Sequence, residues 1–313
     1  MKTYTLPKTW AYALHKPHDL PNHLCGKELN DWLDLHTPTH AQELPVDVPF
    51  LTQQDRQYPS ELLGTGAPPV LFYKGNLERL HNNIVAVVGT RKCSTLGIEF
   101  TKKISRFLRD HETTSISGLA YGIDEIVHKE APSHTIGVMP CGFGATLPSR
   151  TQAICDQILQ EGGLLLSEFP PHSPPRKWRF IQRNRIIAWL AQALILVEAP
   201  TQSGALHTVD FAQQRDKKIW IVPSSPLTHS NQGGLQLIAA GFDVLSHLQQ
   251  VGQYLGYQTK IQAPETIMSF SELANHLNMN TKQAMRALAQ LEIEGKITSL
   301  PNGYFSWTPS YSH

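Results

Sequence analysis

Cysteine is scarce and unpatterned in this chain. Cys25, Cys93, Cys141 and Cys155 form no C-x-x-C pair, which argues against a zinc knuckle or a disulfide framework, and they read as reduced small side chains. An excess of one charge is also missing: 27 Lys and Arg stand against 26 Asp and Glu. A nucleic-acid partner would therefore need a local cationic groove rather than a globally basic body. No apolar run approaches the length of a membrane span and no apolar core follows a basic start. No membrane association or secretion is expected, and the expected compartment is the cytoplasm. The fifteen histidines are dispersed and no metal site is expected. A Walker loop, H-E-x-x-H and G-x-S-x-G are all absent, so no cofactor and no enzyme activity is expected.

What is present starts with Ile84-Val85-Ala86-Val87-Val88, an apolar run without polar alternation, followed directly by Gly89, Thr90, Arg91 and Lys92. Such a run reads as a strand buried on both faces of a parallel sheet. From Thr95 the pattern changes to helical spacing, with Phe100, Ile104, Phe107 and Leu108 on one face. The glycine and the cations thus lie between a strand end and a helix start, where free amides favour an anion such as phosphate. Thr113 to Ser117 ending at Gly118, then Gly122-Ile123-Asp124, and His134 to Met139 ending near Gly142 repeat the strand, glycine, helix order. Three such units make an α/β, doubly wound, mostly parallel sheet the economical fold. Leu164 to Glu168, Ala193 to Ala199, Ile219 to Pro223 and an edge at Phe242 to Leu245 continue it, and Pro68-Pro69 launches another strand, Val70 to Gly75.

The strongest chemical signal follows Pro170 to Pro175. Arg176-Lys177-Trp178-Arg179-Phe180-Ile181-Gln182-Arg183-Asn184-Arg185 holds five cations, two aromatics and no acid. Cations can track phosphates while an aromatic plane takes an unstacked base, which suits single-stranded nucleic acid. The competing reading is a solvated loop whose Trp178 and Phe180 plug the core. Against it, the run leads into the buried helix Ile186 to Leu190, where cations at the N-terminus oppose the helix dipole and some other role must select them. Ser203 and Gly204 open a further helix after Pro200; the serine either caps it or, with nearby amides, holds a phosphate. Asp124 and Glu198 each flank a glycine-rich turn, where a carboxylate is expected to bond backbone amides rather than form a catalytic acid pair.

Taken in order, these motifs resemble the DNA processing protein A family (DprA or Smf). The resemblance runs from about residue 50 to 247 and rests on Gly89-Thr90-Arg91, Ser117 to Asp124, Leu166-Ser167-Glu168, Pro174 through Ala188, Val197-Glu198-Ala199, Ser203 to Leu206 and Val222 to Leu227, with Tyr58-Pro59 to Gly75 ahead of them. It implies an extended Rossmann-like domain and a homodimer. It also implies a single-stranded-DNA-binding protein of natural transformation that protects incoming DNA and loads the RecA recombinase, with no hydrolysis. The candidate DNA contacts are Gly89, Thr90, Arg91, Lys92, Ser117, Gly118, Arg176, Lys177, Arg179, Phe180, Arg183, Asn184, Arg185, Ser203 and Gly204. Of these the resemblance assigns phosphate to Arg91 and Lys177 and a base to Phe180. Tyr121, Ser224 and Leu235 stand where the family commonly has arginine, glycine and asparagine.

Residues 1–45, rich in proline, read as a short helical lead-in, 46–252 as the Rossmann-like domain, 253–264 as a linker and 265–313 as a winged helix. Within the last, Ser269 and Glu272 have capping-box spacing, Ala284, Leu288 and Leu291 share a helix face, and Asn302-Gly303 reads as a hairpin turn. Lys282 and Arg286 are offset by Glu292 and Glu294, a weak basic face for duplex DNA. The alternative functions are an enzyme like the nucleotide phosphoribohydrolases and a transcription regulator acting through the winged helix.

Overall fold

The computed structural model describes residues 3–5, 43–45, 48–225, 228–257, 267–294, 296–300 and 303–307. By compactness the chain divides into two units, Met1–Val251 and Gly252–His313. In the first, β1 (Thr3–Thr5) pairs antiparallel with β2 (Glu43–Pro45). The helical patterns expected between them lie outside the described residues, as do most of the expected linker and Asn302 of the expected hairpin turn.

A nine-stranded sheet organises this unit. It comprises β3 (Phe50–Thr52), β4 (Val70–Gly75), β5 (Ile84–Val88), β6 (Thr114–Ser117), β7 (Thr135–Val138), β8 (Leu164–Ser167), β9 (Ala193–Leu196), β10 (Lys218–Ile221) and β11 (Asp243–Val244). Their spatial order is β11-β10-β9-β5-β6-β7-β8-β4-β3. The seven strands from β11 to β8 run parallel; β4 joins β8 antiparallel, and β3 joins β4 the same way. The expected fold is therefore present, extended at one edge by two antiparallel strands.

Helices α1 (Thr95–Asp110), α2 (Ile123–Glu130), α3 (Ser149–Gln160), α4 (Lys177–Gln182), α5 (Asn184–Leu190), α6 (Gly204–Gln213) and α7 (Gln232–Ala239) connect the strands, and α8 (Gln249–Tyr254) follows β11 in the chain. Every residue of β5 is buried, as its lack of alternation requires when helices cover both faces. On one face Ile84, Ala86 and Val88 join Ile116, Ile136, Leu164, Leu194 and the apolar residues of α5 in one core. Burying each such side chain stabilises the fold by about 1.5–3 kcal/mol. Tyr58 anchors the loop feeding β4, its buried hydroxyl donating to the Pro68 carbonyl at 2.6 Å.

The second unit contains β12 (Met268–Ser269), α9 (Phe270–His276), α10 (Thr281–Ile293), β13 (Ile297–Leu300) and β14 (Tyr304–Trp307), the strands forming an antiparallel sheet in the order β12-β14-β13. Helix, helix and hairpin follow as in a winged helix. The Ser269/Glu272 capping box opens α9, and a second box, Asn280/Gln283, opens α10. Leu273, Leu291, Ile297 and Phe305 form its core, with Leu288 against them.

Candidate nucleic-acid interface

β5 and β9 are parallel neighbours, yet the chain leaves β5 towards β6 and leaves β9 towards β10. Loops that part in opposite directions open a crevice at the strand ends, the topological switch point of an open α/β sheet. Here its volume is about 580 Å³. Gly89, Thr90, Arg91 and Lys92 line one wall, Pro200 and Gln202 to Ala205 the other, and Phe180, Ile181, Arg183, Asn184, His229 and Ser230 complete it.

The Gly-Thr-Arg turn is held from within. Thr90 is buried: its amide donates to the Glu198 carbonyl at 2.7 Å, its carbonyl accepts from Ile123 at 3.3 Å, and its hydroxyl accepts from the Lys92 amide at 3.2 Å. Arg91 and Lys92 are left exposed. Gly122 permits this packing: its φ is +82°, and an added Cβ would lie 2.8 Å from Arg91 Cα. The Arg91 guanidinium stands 5.7 Å from the centroid of the Phe180 ring, a cation-π arrangement. The glycine turn thus meets Phe180, Ile181, Arg183 and Asn184 of the cationic segment in one crevice, whereas Arg176, Lys177, Arg179 and Arg185 stand outside its lining.

The cationic segment divides into two sets. Lys177 is exposed, Arg176 and Phe180 are partly buried, and Trp178 keeps 49% of its surface exposed against the edge of Phe169. Arg179, Arg183 and Arg185 are buried and correct the expectation that the whole run faces phosphate. Arg179 donates to the Pro174 carbonyl at 2.7 Å and lies over Phe169. Arg183 donates to the carbonyls of Gly118 and Val138 and, at 2.9 Å, to Asn184 Oδ1. Burial pushes its pKa down to about 10 against the pull of Asp124, so it stays charged. Arg185 makes a two-pronged pair with Glu168 at 2.6 and 2.5 Å and donates to the Gly66 carbonyl at 2.9 Å. Internal acceptors, not solvent phosphate, select these three cations against the helix dipole.

Other expected contacts also turn inward. Ser117 is buried, its hydroxyl donating to the Val87 carbonyl at 2.7 Å. At Gly118 an added Cβ would lie 2.6 Å from Arg183 Cζ, and at Gly89 it would lie 2.7 Å from Ile123 Cγ1, so packing explains both glycines. Ser203 caps α6 by accepting from Ala205 at 3.2 Å, and Asn184 donates to the Gly204 carbonyl at 3.1 Å. Gly204 differs from the others. It is exposed, its φ is not positive, and no atom lies within 4 Å of where a Cβ would be; the fold does not demand glycine there, and a side chain would enter the crevice.

Asp124 and Glu198 do not form an acid pair. Asp124 lines this crevice, buried beside Arg183 and accepting from the amides of Gly118 and Ala120; burial pushes its carboxyl up from the usual range. Glu198 lines a separate cavity and accepts from the Ser94 amide at 2.8 Å and from the Ser94 hydroxyl, closing the N-terminus of α1. Sequence reasoning missed Ile181, Gln202 and His229 on the crevice wall. Ile181 carried a usable signal, an aliphatic residue inside a cationic run, whereas Gln202 and His229 sit in no pattern.

The family model described as DNA recombination-mediator protein A matches residues 49–256, the sheet and crevice together. The chain belongs to the DNA processing protein A family. It is 37% identical to Protein Smf of Synechocystis over 225 residues, which is 69% of this chain and 56% of that protein. The X-ray structure of DNA processing protein A from Streptococcus pneumoniae superposes with a TM-score of 0.64 at 31% identity, covering 78% of this chain and 90% of that one. A second solved structure concerns the single-stranded DNA binding mode of DNA processing protein A from Helicobacter pylori. Its TM-score is 0.60 at 25% identity, covering 67% of this chain and 96% of that one. Among the described residues no helix is long and apolar enough to cross a membrane.

Proposed function

We propose that this DNA processing protein A family member binds single-stranded DNA in the crevice between β5 and β9. Arg91, Lys92 and Lys177 take backbone phosphates, the open wall at Gly204 admits the strand, and the face of Phe180 not covered by Arg91 takes a base. One observation carries this reading: the exposed Arg91 packs over Phe180 at the mouth of a single crevice, so charge and an aromatic plane are offered at the same place. The single-strand binding of the Helicobacter pylori relative supports it. In the cell we place the protein in the cytoplasm, as a homodimer that protects incoming DNA during natural transformation and loads RecA onto it, without catalysis and without a cofactor. The engagement of Asp124 and Glu198 in internal hydrogen bonds supports a non-catalytic role.

Titration with a short fluorescent oligonucleotide across salt concentrations tests the site. Removing the partner of one phosphate should flatten the log affinity against log salt line by about 0.7, so Arg91→Ala and Lys177→Ala should each weaken binding and reduce the slope. Phe180→Ala should cost roughly 1–3 kcal/mol in affinity and leave the slope nearly unchanged. Equal affinity for duplex and single strand, or unchanged slopes in both cation variants, would overturn the reading.

A further inference from the structure

The loop that leaves β6 carries a second aromatic beside the crevice. Leu119 stands at φ +58° and Gly122 at φ +82°, left-handed conformations of which the first is rare for a leucine. Between these two bends the turn sends its side chains three ways. Leu119 enters the core with Met139 and Ile158, Ala120 lines the crevice, and Tyr121 turns to solvent with 40% of its surface exposed. Because a Cβ on Gly122 would lie 2.8 Å from Arg91 Cα, the Cα atoms of Tyr121 and Arg91 stand within about 8 Å of each other.

A cation accompanies the ring. Arg150, in the first turn of α3, holds its guanidinium 5.2 Å from the Tyr121 centroid, although a cation there opposes the helix dipole. It is anchored by the buried Glu125 on α2, which accepts from Nε at 2.7 Å and pairs with Nη2 at 2.7 Å. Lys129, one turn along α2, already pairs with the same carboxylate at 2.7 Å. Two exposed cations thus share one acid, a positive charge stays in excess, and Nη1 of Arg150 is left to meet an outside acceptor. The arrangement repeats Arg91 over Phe180. Tyr121 and Arg150 follow β6 and β7, the next two strands beyond β5. With neighbouring strands about 4.8 Å apart, the second pair lies roughly 5–10 Å beyond the crevice wall along the carboxyl edge of the sheet.

We propose that Tyr121 and Arg150 form a second step for single-stranded DNA: as the strand leaves the crevice, a base stacks on the ring face that Arg150 does not cover, and Arg150 takes the adjoining phosphate. This rests on the crevice reading above. The competing role is a surface pair that only ties α2 to α3, and strand length separates the two. Thymidine oligonucleotides of about 3 and about 12 nucleotides should differ in their response. Tyr121→Ser should lower affinity for the longer one roughly 5- to 150-fold, with less than about a twofold loss for the shorter, and Tyr121→Phe should restore it. Arg150→Gln, which leaves Lys129 to hold Glu125, should flatten the salt slope by about 0.7 for the longer strand alone. Photocrosslinking of a longer strand carrying iododeoxyuridine at one position at a time, followed by peptide mapping, should link Tyr121 from a nucleotide other than the one that links Phe180. Unchanged affinity of Tyr121→Ser for the longer strand, a lowered melting temperature being its only effect, overturns the proposal. So does a link to Phe180 without one to Tyr121, which would leave the crevice reading standing. A link to Tyr121 without one to Phe180 would overturn the crevice reading instead.

Discussion

Acidification should unfold this protein through a residue that has no part in the crevice. His128, on α2, is 1% exposed. Its Nδ1 lies 2.8 Å from Thr135 Oγ1, and its Nε2 has no hydrogen-bond partner. The Thr135 hydroxyl in turn contacts the hydroxyl and carbonyl oxygens of Ser115, so one ring nitrogen is satisfied within the protein and the other is not. The doubly protonated ring would be a buried charge with its Nε2–H lacking an acceptor. Burial, with a smaller contribution from the Arg183 guanidinium, pushes the His128 pKa from 6.5 down to about 3.

The sign follows from which state takes the proton first. Below pH 6.5 the unfolded chain protonates this histidine and the folded chain does not until about pH 3, so stability falls with falling pH across that window. At 1.36 kcal/mol per pH unit the full loss is about 4–5 kcal/mol, comparable with the whole stability of a marginal domain. Asp124 works the other way, because its raised carboxyl takes a proton earlier when folded. It does so equally in a His128 variant and cancels in the difference. His128→Asn keeps a polar atom near the Nδ1 position and removes the titration. Urea unfolding followed by tryptophan fluorescence should show wild type losing about 3 kcal/mol more than the variant between pH 6.5 and about pH 4. Parallel pH curves would refute the argument.

Arg185→Ala should cost about 3–5 kcal/mol of stability by leaving Glu168 buried without its partner, with the salt slope of the folded fraction unchanged; a flattened slope without destabilisation would return Arg185 to the DNA. Gly122→Ala, at φ +82° and against Arg91 Cα, should destabilise by more than about 1 kcal/mol and weaken DNA binding with it. Gly204→Ala should leave the melting temperature level or slightly raised while lowering oligonucleotide affinity, since its Cβ meets only open crevice. A normal affinity there would mean that the strand does not pass over α6.

Much of the fold was legible because its signals are local. Ile84–Val88 is apolar at every position and forms a strand buried at every position, and the run at Leu164–Ser167 behaves alike. The Ser269/Glu272 spacing became a capping box because its donors and acceptors lie within one turn. β3, only three residues long, was not legible, since its pairing to β4 is tertiary. The crevice was legible as a location, a glycine turn after a buried strand, and its second wall as Ser203-Gly204 opening a helix.

The sequence by itself therefore determined the layered α/β architecture, the small helical and hairpin unit that follows it, and the positions where a strand end would offer amides and cations. It could not sort the cations. In Arg176 to Arg185 every arginine looks alike, because what distinguishes them lies elsewhere in the chain: Glu168 for Arg185, and the carbonyls of Gly118 and Val138 for Arg183. Only tertiary packing brings those acceptors within reach. A guanidinium goes inward when buried oxygens satisfy its donors, and stays at the surface, as Arg91 does over Phe180, when they do not.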